Sequence, residues 1–317
     1  MAIRLVLLCV ALAAASGPAA QDGRPGRDVP APPPASPPPP SRSASSASSP
    51  SLDLLPRAAG VRLGGVVTAR LQAPQALVRA TAAFLGTSVA LSPADEPGTW
   101  EALLGVDLDV RPGTYPVAVT TVTAAGLEET VSRPIRVLAT RYPTRRLRVA
   151  PRFVEPPASE LARITGEAAR LTAIFSSTSP RHWRGAFALP APGRPTSSFG
   201  LRSVFNGQAR NPHAGADFPG LEGTPITAPN AGTVVLAEEL YFTGNTVVVD
   251  HGAGLYSLFA HLSRIDVRPG DTVALGQMLG QLGATGRVTG PHLHWAVRLL
   301  GARVDPLAVV AASQARP

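Results

Sequence analysis

Five of the six histidines in this chain of 317 residues (His213, His251, His261, His292 and His294) fall in its last third, a glycine-rich stretch. A fold that uses them together must bring distant segments to one place, and the local pattern supplies short strands rather than a helical frame. From about Ala186 onward the chain is glycine-rich and lacks helical periodicity, which predicts a β domain. Residues 245–250 read as an apolar strand, 251–254 as a turn and 255–261 as the returning strand, which ends on His261. Residues 267–273 and 276–280 continue as tight turns between brief strands. A strand over 291–299 puts His292 and His294 on one face and Trp295 on the other, where core packing is favoured.

A borderline-soft divalent ion such as zinc accepts imidazole nitrogen and carboxylate oxygen, and a catalytic site needs three protein ligands with one position left for water. His213, Asp217 and one histidine of the 292/294 pair meet that count, and the other histidine is left for proton chemistry. Zinc lowers the pKa of bound water from about 15.7 towards about 7, and an imidazole is suited to take and return the proton. The His-Glu-x-x-His helix is absent, so no glutamate base is expected. His251 reads as a turn or hydrogen-bonding residue and His182 as surface packing beside Trp183. Arg202 and Asn206, in a glycine-flanked loop before His213, are candidates to line the cleft.

The rest of the chain divides by composition. Residues 1–20 carry Arg4, an apolar run from Leu5 to Ala15 and small residues, a secretory signal cut after Ala19 or Ala20; the other reading is an uncleaved anchor. The single cysteine, Cys9, lies inside that signal, so the mature protein has no disulfide framework. Residues 21–57 form a linker rich in proline and serine, too poor in apolar side chains to fold. Residues 58–140 hold Val- and Thr-rich stretches separated by Gly and Pro, which predict a small antiparallel β-sandwich of immunoglobulin-like size without a catalytic cluster. In the 141–185 connector, Leu161, Ile164, Ala168, Leu171 and Phe175 make one helical face, started by Pro157 or Ser159 and stopped by Ser179-Pro180. Residues 186–310 make the β domain and 311–317 a tail. The fold class is thus mainly β: a sandwich, a connecting helix and a glycine-rich antiparallel sheet. A net charge of +8 favours polyanions; export takes nucleic acid out of consideration and leaves an anionic wall, and the arginines at 141, 145, 146 and 148 are either a polymer-contacting patch or a solvated edge.

The ordered motifs His213-x-x-x-Asp217, Tyr256 to His261, Gly276-Gln277 and Thr285-Gly286-x-x-Thr289-Gly290-Pro291-His292-Leu293-His294-Trp295 resemble the M23 family of zinc metallopeptidases, the lysostaphin or LytM type, from Pro190 to Pro306. The resemblance implies His213, Asp217 and His294 as ligands of one Zn2+ per chain, and His261 and His292 as the catalytic pair. It implies a zinc metalloendopeptidase that hydrolyses peptide cross-links of peptidoglycan stem peptides in the periplasm or cell envelope. No stable membrane insertion is expected once the signal is cut, and room is left for a regulatory protein partner. The alternative is a non-catalytic peptidoglycan-binding activator of another hydrolase, which should have lost part of the site; all five positions are present. A protease acting on proteins is a third reading.

Overall fold

The protein is described as a computed structural model over residues 49–56, 60–148, 156–196 and 199–314. The signal, Cys9 and nearly all of the expected linker lie outside the described residues. Among the described residues no helix is long and apolar enough to cross a membrane.

The amino-terminal half is a sandwich. Its strands are β1 (Ser51–Leu55), β2 (Val61–Arg62), β3 (Val66–Gln72), β4 (Leu77–Phe84), β5 (Thr87–Ala90), β6 (Ser92–Pro93), β7 (Thr99–Gly105), β8 (Gly113–Thr123) and β9 (Glu128–Leu138). One sheet has the order β1-β3-β7-β6 and the other β2-β9-β8-β4-β5. Alternating side chains close one core between them: Leu52, Leu54, Ala69, Leu71 and Leu104 from the first sheet meet Ala80, Ala82, Phe84, Val117, Val119 and Val137 from the second. β1 corrects the sequence expectation, because it lies inside the stretch assigned to the linker. Leu52 and Leu54 alternate with more exposed neighbours and are buried, and that short pattern outweighs the proline- and serine-rich composition before it. The antiparallel expectation also has one exception here, β2 running parallel to β9.

After β10 (Thr144–Leu147) a helix, α1 (Leu161–Phe175), follows one 3-10 turn that starts at Pro157. Its contacts differ from the expected stripe: Leu161 and Ala168 are exposed, whereas Leu171, Ile174 and Phe175 pack on the sheet beyond.

That sheet gathers β13 (Gly215–Pro219), β14 (Pro225–Thr227), β15 (Gly232–Leu240), β16 (Gly244–Gly252), β17 (Leu255–Ile265), β18 (Thr272–Val273), β19 (Met278–Leu282), β20 (His292–Leu299) and β21 (Ala302–Val304). Its main order is β13-β20-β17-β16-β15-β18. A hairpin of β11 (Arg202–Phe205) and β12 (Gln208–Ala209) precedes it, and β11 runs parallel to β10. β17 continues past His261, where the sequence reading ended it, to Ile265, with a register shift after Leu262. The last described element is α2 (Pro306–Gln314), which crosses the boundary expected between domain and tail at 310: Val309, on the domain side, is fully buried, and on the tail side Ser313 Oγ accepts from the Phe187 backbone N–H at 2.9 Å.

The two faces of this sheet carry different cores. Phe218, Val247, Val249, Phe259, Leu293, Trp295 and Val297 face one side, where Val66 and Leu103 of the sandwich join them. Leu236, Leu240, Val248, Tyr256, Leu258 and Ala260 face the other, where α1 lies. Cover on both sides explains why β16 and β17 are buried along nearly their whole length rather than at alternate residues. At the junction Arg303 reaches Asp107 and Asp109, and Arg181 pairs with Glu101 at 2.9 Å. At Gly105 an added Cβ would lie 3.0 Å from Val304 Cγ1, so the sandwich packs there at backbone distance.

His251 belongs to this core. Its side chain is fully buried, with Nδ1 2.8 Å from the Ala231 carbonyl and Nε2 3.0 Å from Ser257 Oγ. Burial pushes its pKa down to about 4, against the opposing hydrogen bond to Ala231. A depressed folded value means that the stability it contributes is full above the unfolded value of about 6.5 and is lost as pH falls towards about 4, on the order of 3 kcal/mol in all. Denaturant unfolding between pH 7 and 5 should therefore show stability falling with acidification, and His251→Gln should flatten that slope whatever its effect on absolute stability. An identical slope in the variant would contradict the assignment.

Candidate metal centre

One antiparallel pairing sets the geometry. In the β13–β20 ladder Asp217 faces His294 and Pro219 faces His292, and in the β17–β20 ladder His294 faces Ala260. Facing residues project to the same side, so Asp217, His292 and His294 share the face that also carries Ala260 and α1. β20 alternates strictly, with Leu293, Trp295, Val297 and Leu299 turned into the opposite core. His213 arrives from the segment before β13 and is held there through its backbone, its N–H donating to Leu201 O at 2.9 Å and its carbonyl accepting from Gly200 N–H at 2.7 Å.

The three side chains converge on one point. His213 Nε2 lies 3.0 Å from Asp217 Oδ1 and 3.0 Å from His294 Nδ1, and His294 Nδ1 lies 2.8 Å from Asp217 Oδ1. Three contacts among two imidazole nitrogens and one carboxylate oxygen cannot all be hydrogen bonds: when both nitrogens donate to the oxygen, they face each other without an acceptor. A zinc ion with ligand bonds of about 2.0–2.2 Å would spread the corners of such a triangle to about 3.3 Å, a small expansion. Electrostatics favours the ligand state. Burial drives the His294 imidazole towards its neutral form. Burial also works to raise the Asp217 carboxyl, but hydrogen bonds from His213 and His294 outweigh it and hold the group well below the ordinary carboxylate range. Neutral imidazoles with an ionised carboxylate are the protonation state a divalent cation requires.

His261 and His292 stand beside the triangle. Their ring centroids are 4.9 Å apart, and that of His261 is 6.2 Å from that of His294. Nδ1 of His261 lies 2.9 Å from Thr285 O, and Nδ1 of His292 lies 2.9 Å from Gly290 O. A carbonyl only accepts, so each Nδ1 carries a proton, and in the neutral ring Nε2 is then the atom with the lone pair. His292 Nε2 is 4.0 Å from Asp217 Oδ1, which places it at the same cleft. Burial lowers the His261 pKa to about 4, with the hydrogen bond to Thr285 opposing and the nearby imidazoles reinforcing. His261 also has a left-handed backbone, φ 65, which costs a residue other than glycine roughly 1–2 kcal/mol and clusters at functional sites. Its N–H donates to Thr243 O at 2.8 Å, which holds that conformation.

Glycines let the walls approach. A Cβ at Gly215 would lie 2.7 Å from His294 Cε1 and 2.5 Å from Trp295 O, so the imidazole rests directly on the β13 backbone. Gly244 (φ 61) and Gly286 (φ 75) meet backbone to backbone, where a Cβ at either would lie 2.4 Å from the other segment. That contact brings the Thr285 carbonyl to His261.

The structure brings together all five residues expected at the site and leaves His251 in the core, as a hydrogen-bonding residue. His182 is exposed. Arg202 lies on β11 and Asn206 (φ 51) at its turn, on the hairpin leading to His213. Sequence reasoning missed the parts of Gly215 and Thr285: both stand in conspicuous motifs, but a glycine's contact partner and a carbonyl's orientation leave no mark on residue type.

The pattern of Peptidase family M23 matches residues 211–306, which holds every one of these five side chains. The chain is 42% identical over 96 residues to the peptidoglycan DD-endopeptidase ShyA of Vibrio cholerae, covering 30% of this chain and 22% of that protein. It is 38% identical over 97 residues to the DD-carboxypeptidase/endopeptidase Mpg of Neisseria meningitidis, covering 31% of this chain and 22% of the relative. These curated relatives are thus matched over about a fifth of their length. A crystal structure from Pseudomonas aeruginosa assigned to peptidase M23 superposes with a TM-score of 0.61 at 35% identity, over 80% of this chain and 96% of the other. With the likeness extending over almost all of that structure and the family pattern centred on the converging His213, Asp217 and His294, the chain belongs to peptidase family M23.

Proposed function

We propose that the protein is an exported zinc endopeptidase that hydrolyses peptide cross-links of peptidoglycan. His213, Asp217 and His294 hold one zinc per chain, and His261 and His292 carry the proton chemistry. The observation that carries this reading is the convergence of Nε2, Oδ1 and Nδ1 within 3.0 Å of one another, beside two histidines whose Nδ1 protons are fixed by carbonyls. Zinc bound there supplies a water that is nucleophilic near neutral pH and polarises the substrate carbonyl. The chain's own groups do the rest. An Nε2 lone pair of the His261–His292 pair takes the proton released as the water oxygen bonds to the carbonyl carbon, and the pair returns a proton to the amine as the C–N bond breaks. In its protonated form the second imidazole donates to the developing oxyanion. Burial keeps His261 neutral above about pH 4, so it is available as a base through the neutral range.

The names of ShyA and Mpg favour a bond between D-centres over a glycine bridge. Peptidoglycan as substrate makes the envelope the workplace, in keeping with the signal-like residues 1–20 and the net charge of +8. An intact set of five side chains argues against the non-catalytic activator.

Purified peptidoglycan incubated with the mature protein should release muropeptides only when zinc is present. Chelation should abolish release and zinc restore it, and His292→Ala should lower it by roughly 10²–10⁴ while still binding metal. Zinc-loaded protein that binds the wall and releases nothing would overturn the reading. Gly215→Ala should weaken zinc binding at least about tenfold by displacing the His294 ring; unchanged affinity in competition with a chromophoric chelator would show that the glycine contact is unimportant.

A further inference from the structure

The connecting helix lies on the same face of the sheet as the metal centre, and one of its side chains reaches the wall of that centre. Glu167 occupies the middle of α1 with both carboxylate oxygens engaged. Oε1 accepts from Arg163 Nε at 2.7 Å, and Oε2 accepts from the backbone N–H of Tyr241 at 2.9 Å. Its side chain is only 11% exposed, so this tether is shielded where the neighbouring ion pair of Arg170 with Glu238 is not.

From Tyr241 the contacts run without a gap to His261. The next residue, Phe242, accepts the Arg287 N–H through its carbonyl at 3.0 Å and stacks under the Arg287 guanidinium at 4.2 Å. Thr243 O receives the N–H of His261. Gly244 meets Gly286 at backbone distance. Thr285 Oγ1 donates to Leu262 O at 2.8 Å and accepts from Asn245 N–H at 2.9 Å, and its carbonyl holds the Nδ1 proton of His261. The turn over 241–244 is therefore the element against which both the left-handed backbone and the imidazole of His261 are set, and Glu167 fixes that turn to the helix.

We infer that Glu167 is a positioning residue: through the Tyr241–Gly244 turn it holds the 283–291 loop closed on His261 and keeps that imidazole with its proton on Nδ1. The catalytic consequence rests on the hydrolase reading above; the structural one does not. A helix otherwise attached through Leu171, Ile174 and Phe175, the Arg170–Glu238 ion pair and the Arg163 bond to Glu239 O thereby acquires a direct line to the chemistry, and the segment joining sandwich to peptidase becomes a place from which the site can be loosened.

The test compares full-length wild type, Glu167→Ala, Glu167→Gln and Arg170→Ala, with kcat and KM on a soluble cross-linked muropeptide, zinc content, and imidazole 15N NMR of His261. Glu167→Ala should lower kcat roughly 5–20-fold with KM within about twofold and zinc content unchanged, as expected when a group near the chemistry is misplaced. Glu167→Gln should recover most of the rate, because the amide oxygen accepts the same N–H. Arg170→Ala, which loosens the helix without touching the turn, should stay within about twofold. In the spectra the protonated Nδ1 of His261 should be sharp in wild type and Glu167→Gln and broadened or exchanged with the other tautomer in Glu167→Ala. A Glu167→Ala protein with wild-type kcat and an unchanged His261 spectrum would overturn the inference, as would an Arg170→Ala loss as large as that of Glu167→Ala. An inactive but zinc-loaded wild type would instead overturn the hydrolase reading, and the spectra would still decide this one.

Discussion

Everything at the site depends on the register of one ladder, in which Asp217 of β13 stands opposite His294 of β20. Because side chains alternate along a strand, a slip of one residue would send Asp217 into the apolar core and bring Phe218 to the cleft. The register is held by what lies behind it. Ala216 and Phe218 are turned into the same core as Leu293, Trp295 and Val297, and all five are almost wholly buried. Burial of that apolar face, worth roughly 25 cal/mol per Å2 removed from water, fixes which way the polar face must point. The carboxylate and the imidazole meet because their neighbours are hydrophobic.

The same division organises the whole molecule. One face of the large sheet is closed by the core that the sandwich joins through Val66 and Leu103, and the other is shared between α1 and the metal centre. The sandwich is therefore joined to the face opposite the converging ligands, and its ion pairs, Arg303 with Asp107 and Arg181 with Glu101, lie at that junction. His251 and His261, ten residues apart on neighbouring strands, show how environment separates like residues. Both are driven to about 4 by burial, but the first has both ring nitrogens bound to protein and the second has one directed to the cleft. In the proposed mechanism only the second has a nitrogen left for proton transfer.

Much of this was legible in the residues. Alternation over 292–299 placed the two histidines on one face and Trp295 on the other because a strand has a period of two whatever surrounds it. His213 and Asp217 announced a metal through donor type, and the family resemblance chose His294 over His292, a choice that the residues alone left open. What escaped was information carried by backbone. β1 hid behind a proline- and serine-rich composition because two leucines suffice for an edge strand once a sheet is there to receive them. α2 went unread across the expected boundary between domain and tail because Ser313 acquires meaning only against the Phe187 N–H. The helical stripe was found by periodicity, but Glu167 lies off that stripe, a charged residue whose partner is a main-chain N–H far downstream.

His213, Asp217 and His294 converge as a group that could hold a single divalent ion. Crystals of the zinc-loaded protein, measured above and below the zinc absorption edge, test this directly. One anomalous peak per chain is expected, within about 2.0–2.2 Å of His213 Nε2, Asp217 Oδ1 and His294 Nδ1, with His261 and His292 uncoordinated. A peak centred on other side chains, or none at stoichiometric zinc, would contradict it.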